Sequence, residues 1–321
     1  MFVIGIIMGG IMMLAILAFL RMPDLSLSHQ TVAFTPTADN LPHLIALEPT
    51  DVRQEATQTP VSSAPTAEPT LVSTLVVVSS TPTSLALSKE ERPEIIGYSV
   101  EGRALEVYTF GRGKQERMIV AGIHGGDEWN TVTLANQLIK YLDQNPNSIP
   151  DDITLYILPN LNPDGEARAH NKYGRVNHNG VDLNRNFPTN WRMDWDRAGC
   201  WNYLPTSGGT DPGSEAETQA LMNFIGAHNL QALISYHSAA LGIFPGGLPP
   251  DENSTRLAQS IADVSSYRFP PIDTGCTYSG TLADYAVSIG IAAVDLELTN
   301  HIDTDFDQNL NALNVLLNFE P

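Results

Sequence analysis

Basic residues, cysteines and aromatics are all scarce in this chain, and each shortage removes a class of function. Lys and Arg number 17 against 36 Asp and Glu in 321 residues, a net charge of −19. Such an excess of negative charge repels a phosphate backbone, so a nucleic-acid partner is excluded. The two cysteines, Cys200 and Cys276, are too few for a disulfide-stapled scaffold and lack the Cys-x-x-Cys spacing of a metal knuckle or redox pair. Aromatics make up 7% of the residues, and that low average conceals three regions of different texture.

From Phe2 to Leu20 no residue is charged. A run of that length, at about 1.5 Å per residue, just crosses a hydrocarbon core about 30 Å thick. No Lys or Arg precedes it, and only Ser26 and Ser28 resemble a cleavage site. Residues 1–22 are therefore expected to be an uncleaved membrane anchor, with a cleaved signal peptide as the alternative. No cysteine follows closely, which excludes a lipoprotein anchor. Residues 23–92 hold 28 Ser, Thr or Pro among 70 positions and one aromatic, Phe34, too little apolar surface to offset chain entropy. This reads as a disordered stalk. Arg21, just after the span, would by itself keep that side cytoplasmic. A long Thr/Pro-rich spacer instead suits a catalytic domain held outside, and the extracytoplasmic placement is the expectation.

Residues 93–321 are long enough to bury a full core as one domain. Met118 to Ile123, Thr154 to Leu158, Ala232 to Tyr236 and Ile291 to Leu296 read as short apolar strands. Thr131 to Tyr141, Glu215 to Ile225, Ser254 to Val264 and Asp305 to Leu317 carry helical apolar spacing, and Ser214 with Glu217 resembles a capping box. Strands alternating with helices predict an α/β fold with a mixed, largely parallel central sheet and helices on both faces.

In such a sheet functional groups gather at the carboxyl ends of the strands. Three polar signals sit there: His124-Gly125-Gly126-Asp127-Glu128, then His237-Ser238, then Glu297 within an apolar strand. A lone strand-end His is usually a hydrogen-bonded loop residue. A carboxylate in an apolar strand is costlier and argues for function. Two imidazoles and a carboxylate form a three-ligand zinc site with an open fourth position, the arrangement of catalytic centres. His170, His178 and His301 lack ligand spacing and are read as surface or rim residues.

A fourth signal is the long loop Asn160-Leu161-Asn162-Pro163-Asp164-Gly165, running through Arg175 to Val181-Asp182-Leu183-Asn184-Arg185-Asn186. With these motifs in this order, residues 94–320 resemble the zinc carboxypeptidase family, including its compact bacterial members that act as murein-peptide amidases. The resemblance implies one Zn²⁺ per chain held by His124, Glu128 and His237, with Asp182 orienting His124. It implies Glu297 as general base and acid toward zinc-bound water, and Arg175 as oxyanion stabiliser. It further implies Asn184 and Arg185 as the grip on the substrate's terminal carboxylate, with Tyr278 closing over the substrate.

The family's ligand spacing points to Asp127, because one extra glycine follows the histidine here; the longer reach of Glu128 makes it the expected ligand. Leu282 falls near the position that lines the side-chain pocket and argues against a buried charge there. Cys200 and Cys276 are either paired between loops beside the cleft or two unrelated buried thiols. The implied function is hydrolysis of an amide next to a free carboxylate, in a peptide or a muropeptide. The rivals are a deacylase of N-acyl amino acids and a catalytically silent tethered binding module.

Overall fold

The computed structural model describes residues 93–195, 200–201 and 203–321. The expected anchor and stalk, residues 1–92, lie outside the described residues. Among the described residues no helix is long and apolar enough to cross a membrane.

Apolar runs bounded by turns build a seven-stranded sheet in the order β1-β2-β4-β3-β5-β7-β6. The strands are β1 (Glu94–Tyr98), β2 (Ala104–Gly111), β3 (Gln115–Val120), β4 (Ile153–Leu158), β5 (Leu230–Ser238), β6 (Ile243–Pro245) and β7 (Ala292–Leu298). β4, β3, β5 and β7 run parallel, as near-continuous apolar sequences covered on both faces must. β1, β2 and β6 add antiparallel pairings at the two edges. The sheet is thus mixed, and less parallel than the alternating strand and helix pattern predicts. The difference lies in β1 and β2, a partly exposed hairpin, and in the three-residue β6.

Period-two alternation sends Ile119, Ile157, Ile234 and Val294 to one face and Met118, Leu158, Leu233 and Ala293 to the other. On the first face pack α1 (Trp129–Gln144), α4 (Glu252–Ala262) and α6 (Phe306–Leu317), through Leu134, Leu138, Leu257, Ile261, Leu313 and Leu316. The second face is covered by α3 (Ala216–Ala227) and α5 (Leu282–Ser288), through Leu221, Phe224, Leu282 and Ala286. A short α2 (Pro163–Arg168) starts at the Asn-Pro of the long loop. There Asn162 accepts the Gly165 amide at 2.9 Å and Pro163 occupies the first helical position.

The capping box predicted at Ser214 does not form; Glu215 is the N-cap of α3 and makes no side-chain cap bond. The Glu217 carboxylate is drawn away to the Val100 amide at 3.2 Å and to Asn177 at 3.2 Å.

Candidate active site

The three strand-end signals meet. β3 ends at Val120 and delivers His124 four residues later; β5 carries His237 and β7 carries Glu297, paired side by side in parallel register. His124 Nδ1 lies 3.2 Å from His237 Nδ1 and 2.7 Å from Glu128 Oε1, and Glu128 Oε2 lies 3.2 Å from His237 Nδ1. All three side chains are buried. Two ring nitrogens and a carboxylate that face one another are placed to share a cation. Ligands on a tetrahedral zinc, at about 2.0 Å each, stand about 3.3 Å apart, so the three atoms fit Zn²⁺.

The electrostatics agree. Burial works against a charge on Glu128, yet His124 and His237 outweigh it and hold the carboxyl well below its usual range. His237 is likewise buried, but Asp295 and Glu128 pull its proton affinity well upward. The two shifts keep Glu128 ionised, the form in which a carboxylate binds a metal.

The extra residue between the first histidine and its carboxylate is absorbed by a tight turn over Gly125–Glu128, where the Asp127 amide donates to His124 O at 3.1 Å. Gly125 has φ +47°, a left-handed conformation that suits glycine. At Gly126 a Cβ would stand 2.0 Å from the Ala169 carbonyl oxygen, because the turn presses against the end of α2. That turn brings Glu128 to the two histidines. Asp127 is directed instead toward Arg175 at 3.6 Å.

Asp182 holds the next layer. Its Oδ1 accepts from the Asn184 amide at 3.0 Å and lies 3.1 Å from His124 Nε2, while its Oδ2 accepts from Arg175 Nε at 2.9 Å. Burial raises its proton affinity, but Arg175 and His124 hold the carboxyl well below the ordinary range. Arg175 also reaches Glu128 at 3.3 Å and lies under the Trp201 ring at 4.7 Å. Its charge is opposed by burial and sustained by Asp182, Glu128 and Asp127. Beside the triad, Glu297 Oε2 is buried without a hydrogen bond, and burial followed by repulsion from Glu128 pushes its carboxyl up to about 8.

The triad forms the floor of a cleft of about 860 Å³ lined also by Arg175, Asn184, Arg185, Tyr278 and Glu297. Arg185 is buried and packs its guanidinium under the rings of Trp195 at 5.5 Å and Tyr278 at 5.0 Å. Burial pushes its charged form down, and Asp182 only partly offsets this. Among the described residues no carboxylate lies within ion-pair distance of it, so this cation faces the cleft under-compensated. Tyr285, seven residues beyond Tyr278, stacks on Phe187 at 5.7 Å in the core below. Cys200 and Cys276 are joined in a disulfide, which ties the segment carrying Trp201 to the segment carrying Tyr278.

His170, His178 and His301 take up the surface or rim positions expected of them: His170 stacks on Trp129, His178 pairs with Glu101 at 2.9 Å, and His301 meets Ser238 Oγ at 3.1 Å. Leu282 departs from expectation. As the first residue of α5 it turns into the core under the sheet, and its amide donates to Asn184 Oδ1 at 2.8 Å. The cleft wall there is made by Ala283, Asp284 and Asp295, so the inference that the pocket lacks buried charge is corrected. Asp295 had a sequence signal: it stands two residues before Glu297 in the same apolar strand, hence on the same face. Trp201 carried none, being one aromatic in an irregular segment.

Comparison with known proteins agrees with this arrangement. Residues 86–307 match the sequence profile of zinc carboxypeptidases. Mast cell carboxypeptidase A of Rattus norvegicus is 31% identical over 242 residues, which cover 63% of this chain and 58% of that protein. Murein peptide amidase A of Escherichia coli K12 is 34% identical over 132 residues, 39% of this chain and 49% of that one. The chain thus spans about 58% of the length of the first of these curated relatives. Among solved structures, murein-tripeptide amidase from E. coli O157 superposes with a TM-score of 0.54 at 25% identity, covering 71% of this chain and 92% of that one. Bovine thrombin-activatable fibrinolysis inhibitor, in complex with a tick carboxypeptidase inhibitor, shares the fold with a TM-score of 0.58 at 21% identity, covering 70% of this chain and 88% of that one. With a profile match over more than half its length and a His-Glu-His cluster that fits zinc, the chain belongs to the zinc carboxypeptidase family.

Proposed function

We propose that this protein is a zinc-dependent hydrolase of peptide or amide bonds next to a free carboxylate. The observation that carries the reading is the placement of Glu297, in register with His237 and with an unbonded buried oxygen, beside three atoms that converge as metal ligands. Bound there by His124, Glu128 and His237, Zn²⁺ would supply Lewis acidity toward a carbonyl oxygen and lower the pKa of a water molecule toward about 7.

The chain's own residues do the rest. Glu297 directs a buried carboxylate oxygen that makes no hydrogen bond beside the triad, so it is placed to take a proton from the attacking water and return it to the departing amine. Arg175, fixed by Asp182, offers a charged donor to the oxyanion. Arg185 and Asn184 orient the substrate through its terminal carboxylate, whose charge relieves the under-compensated guanidinium. Tyr278 covers that pair. Carboxypeptidase and murein amidase relatives support both a protein or peptide tail and a cell-wall peptide as substrate. Anchorage to a membrane by residues 1–22, with the catalytic domain outside, remains part of the same proposal.

Glu297→Gln tests it. The variant should bind substrate and metal but lose about 10²-fold or more in turnover, the scale of a positioned base. Near-normal turnover would show that another group takes the proton.

A further inference from the structure

Two stretches of the cleft wall, 186–215 and 263–281, hold no helix or strand among the described residues. One carries Cys200 and Trp201, the other Cys276 and Tyr278, and all four residues line the cleft. At one end the stretches meet through the backbone: the Phe187 amide donates to Gly280 O at 3.0 Å and the Gly280 amide to Thr189 O at 3.1 Å. Farther along, the Cys200–Cys276 bridge joins them and fixes their α-carbons 5.3 Å apart.

Each cysteine stands beside an aromatic ring that covers an arginine. Trp201 follows Cys200 directly and lies over Arg175 at 4.7 Å, and Tyr278 lies over Arg185 at 5.0 Å. Tyr278 is also tied to Cys276 locally, since its hydroxyl is 3.0 Å from Thr274 Oγ1, which accepts the Cys276 amide at 3.3 Å. A ring on a guanidinium gains about as much as ordering one or two residues costs, so these contacts cannot by themselves hold irregular chain in place. The covalent link decides. Both cysteines are half-buried in the cleft wall, so a small reductant that enters the cleft can reach sulfur.

Resting on the hydrolase reading above, we infer that the Cys200–Cys276 bridge is a redox-sensitive latch on the active site. Formed, it holds Trp201 on Arg175 and Tyr278 on Arg185; reduced, it releases both rings and catalytic efficiency falls. The reductant is a dithiol. One of its thiolates attacks a bridge sulfur, forming a mixed disulfide and expelling the other cysteine as a thiolate; its second thiol then displaces the first cysteine. The dithiol leaves as a disulfide, having given up two electrons and two protons, and both cysteines end as thiols. Reducing compartments are rich in such dithiols, so the chain is a weak hydrolase there and becomes competent where the bridge forms.

The test uses the zinc-loaded full chain and a water-soluble trialkylphosphine. The phosphine reduces a disulfide to two thiols, ends as its oxide with oxygen taken from water, and does not compete for zinc as a dithiol would. Reduction should lower kcat/KM toward a peptide with a free terminal carboxylate by about tenfold or more, and reoxidation should restore it. An amidated peptide, which makes no use of Arg185, should lose kcat through Arg175 with KM little changed. Binding of 3-phenylpropionate, a carboxylate with nothing to cleave, should weaken by about tenfold on reduction when read by calorimetry. The Cys200→Ser/Cys276→Ser variant should match the reduced protein and ignore the phosphine.

Unchanged kcat/KM and unchanged 3-phenylpropionate affinity in the reduced, folded protein would overturn the latch and leave the hydrolase. Loss of zinc or of the fold in step with activity would overturn it too, since the bridge would then serve the metal site or the domain at large. So would a bridge that resists the phosphine in the folded protein. If the double variant does not fold, the phosphine series on the natural chain decides. Redox-dependent binding without cleavage in either state would remove the hydrolase and leave the latch.

Discussion

The burial of charge sets the behaviour of individual residues here. Glu297 has a proton affinity raised from 4.5 to about 8, so its ionisation weighs on the folded state and not on the unfolded chain. The stability tied to its protonated form is fully present below about 4.5 and is lost as pH rises toward about 8. Metal-free Glu297→Gln should therefore melt higher than metal-free wild type at pH 8, with a smaller gain at pH 5; thermal melts in chelator would read this, and equal gains at both pH values would contradict it. Arg185→Ala should cost substrates with a free terminal carboxylate about 10- to 100-fold in kcat/KM and amidated ones little, because the charge-assisted contact exists only in the former. Equal losses would mark Arg185 as structural. The adjacent acids differ in position: Glu128 meets both histidines, whereas Asp127 meets Arg175. Competitive chelator titration should find zinc affinity lowered more than about 10²-fold in Glu128→Ala and less than about tenfold in Asp127→Ala.

At the scale of elements, the parallel strands and the four long helices were legible because each is an apolar run or stripe of the right period. The hairpin of β1 and β2 and the three-residue β6 were not, since edge strands are half-exposed and carry no buried run. The site followed the same division. His124, His237 and Glu297 announce themselves at strand ends, whereas the route by which Glu128 arrives depends on a turn whose fit is tertiary. Only the approach of Ala169 explains why Gly126 follows Gly125. Gly126→Ala should push that turn away from α2 and lower zinc affinity by more than about tenfold. Gly226→Ala, in α3 with open space around its would-be Cβ, should be neutral or stabilising by up to about 1 kcal/mol. Zinc titration and thermal melts of the two variants separate these outcomes. Asp295 shows the opposite case, a residue the strand period exposed but the neighbouring Leu282 masked.

For the whole molecule, metal and disulfide act on different parts of the free energy. A ligand present at about a thousand times its Kd adds about 4 kcal/mol, so chelation should lower the Tm by several degrees and zinc alone should restore it. Elemental analysis of the untreated domain should find one zinc per chain. Closing a segment with a sequence separation of 76 residues is worth about 4 kcal/mol in the chain-entropy view, independent of metal. The bridge also makes the stretch from Cys200 to Cys276 a covalent ring that contains His237, while His124, Glu128, Arg185 and Glu297 lie on the two tails. A protease that cuts the ring once, at the exposed Leu248 for instance, would open it without parting the chain. The nicked protein would run as one species on a denaturing gel until a reductant split it in two, with the three metal-holding residues on one polypeptide and Glu297 on the other.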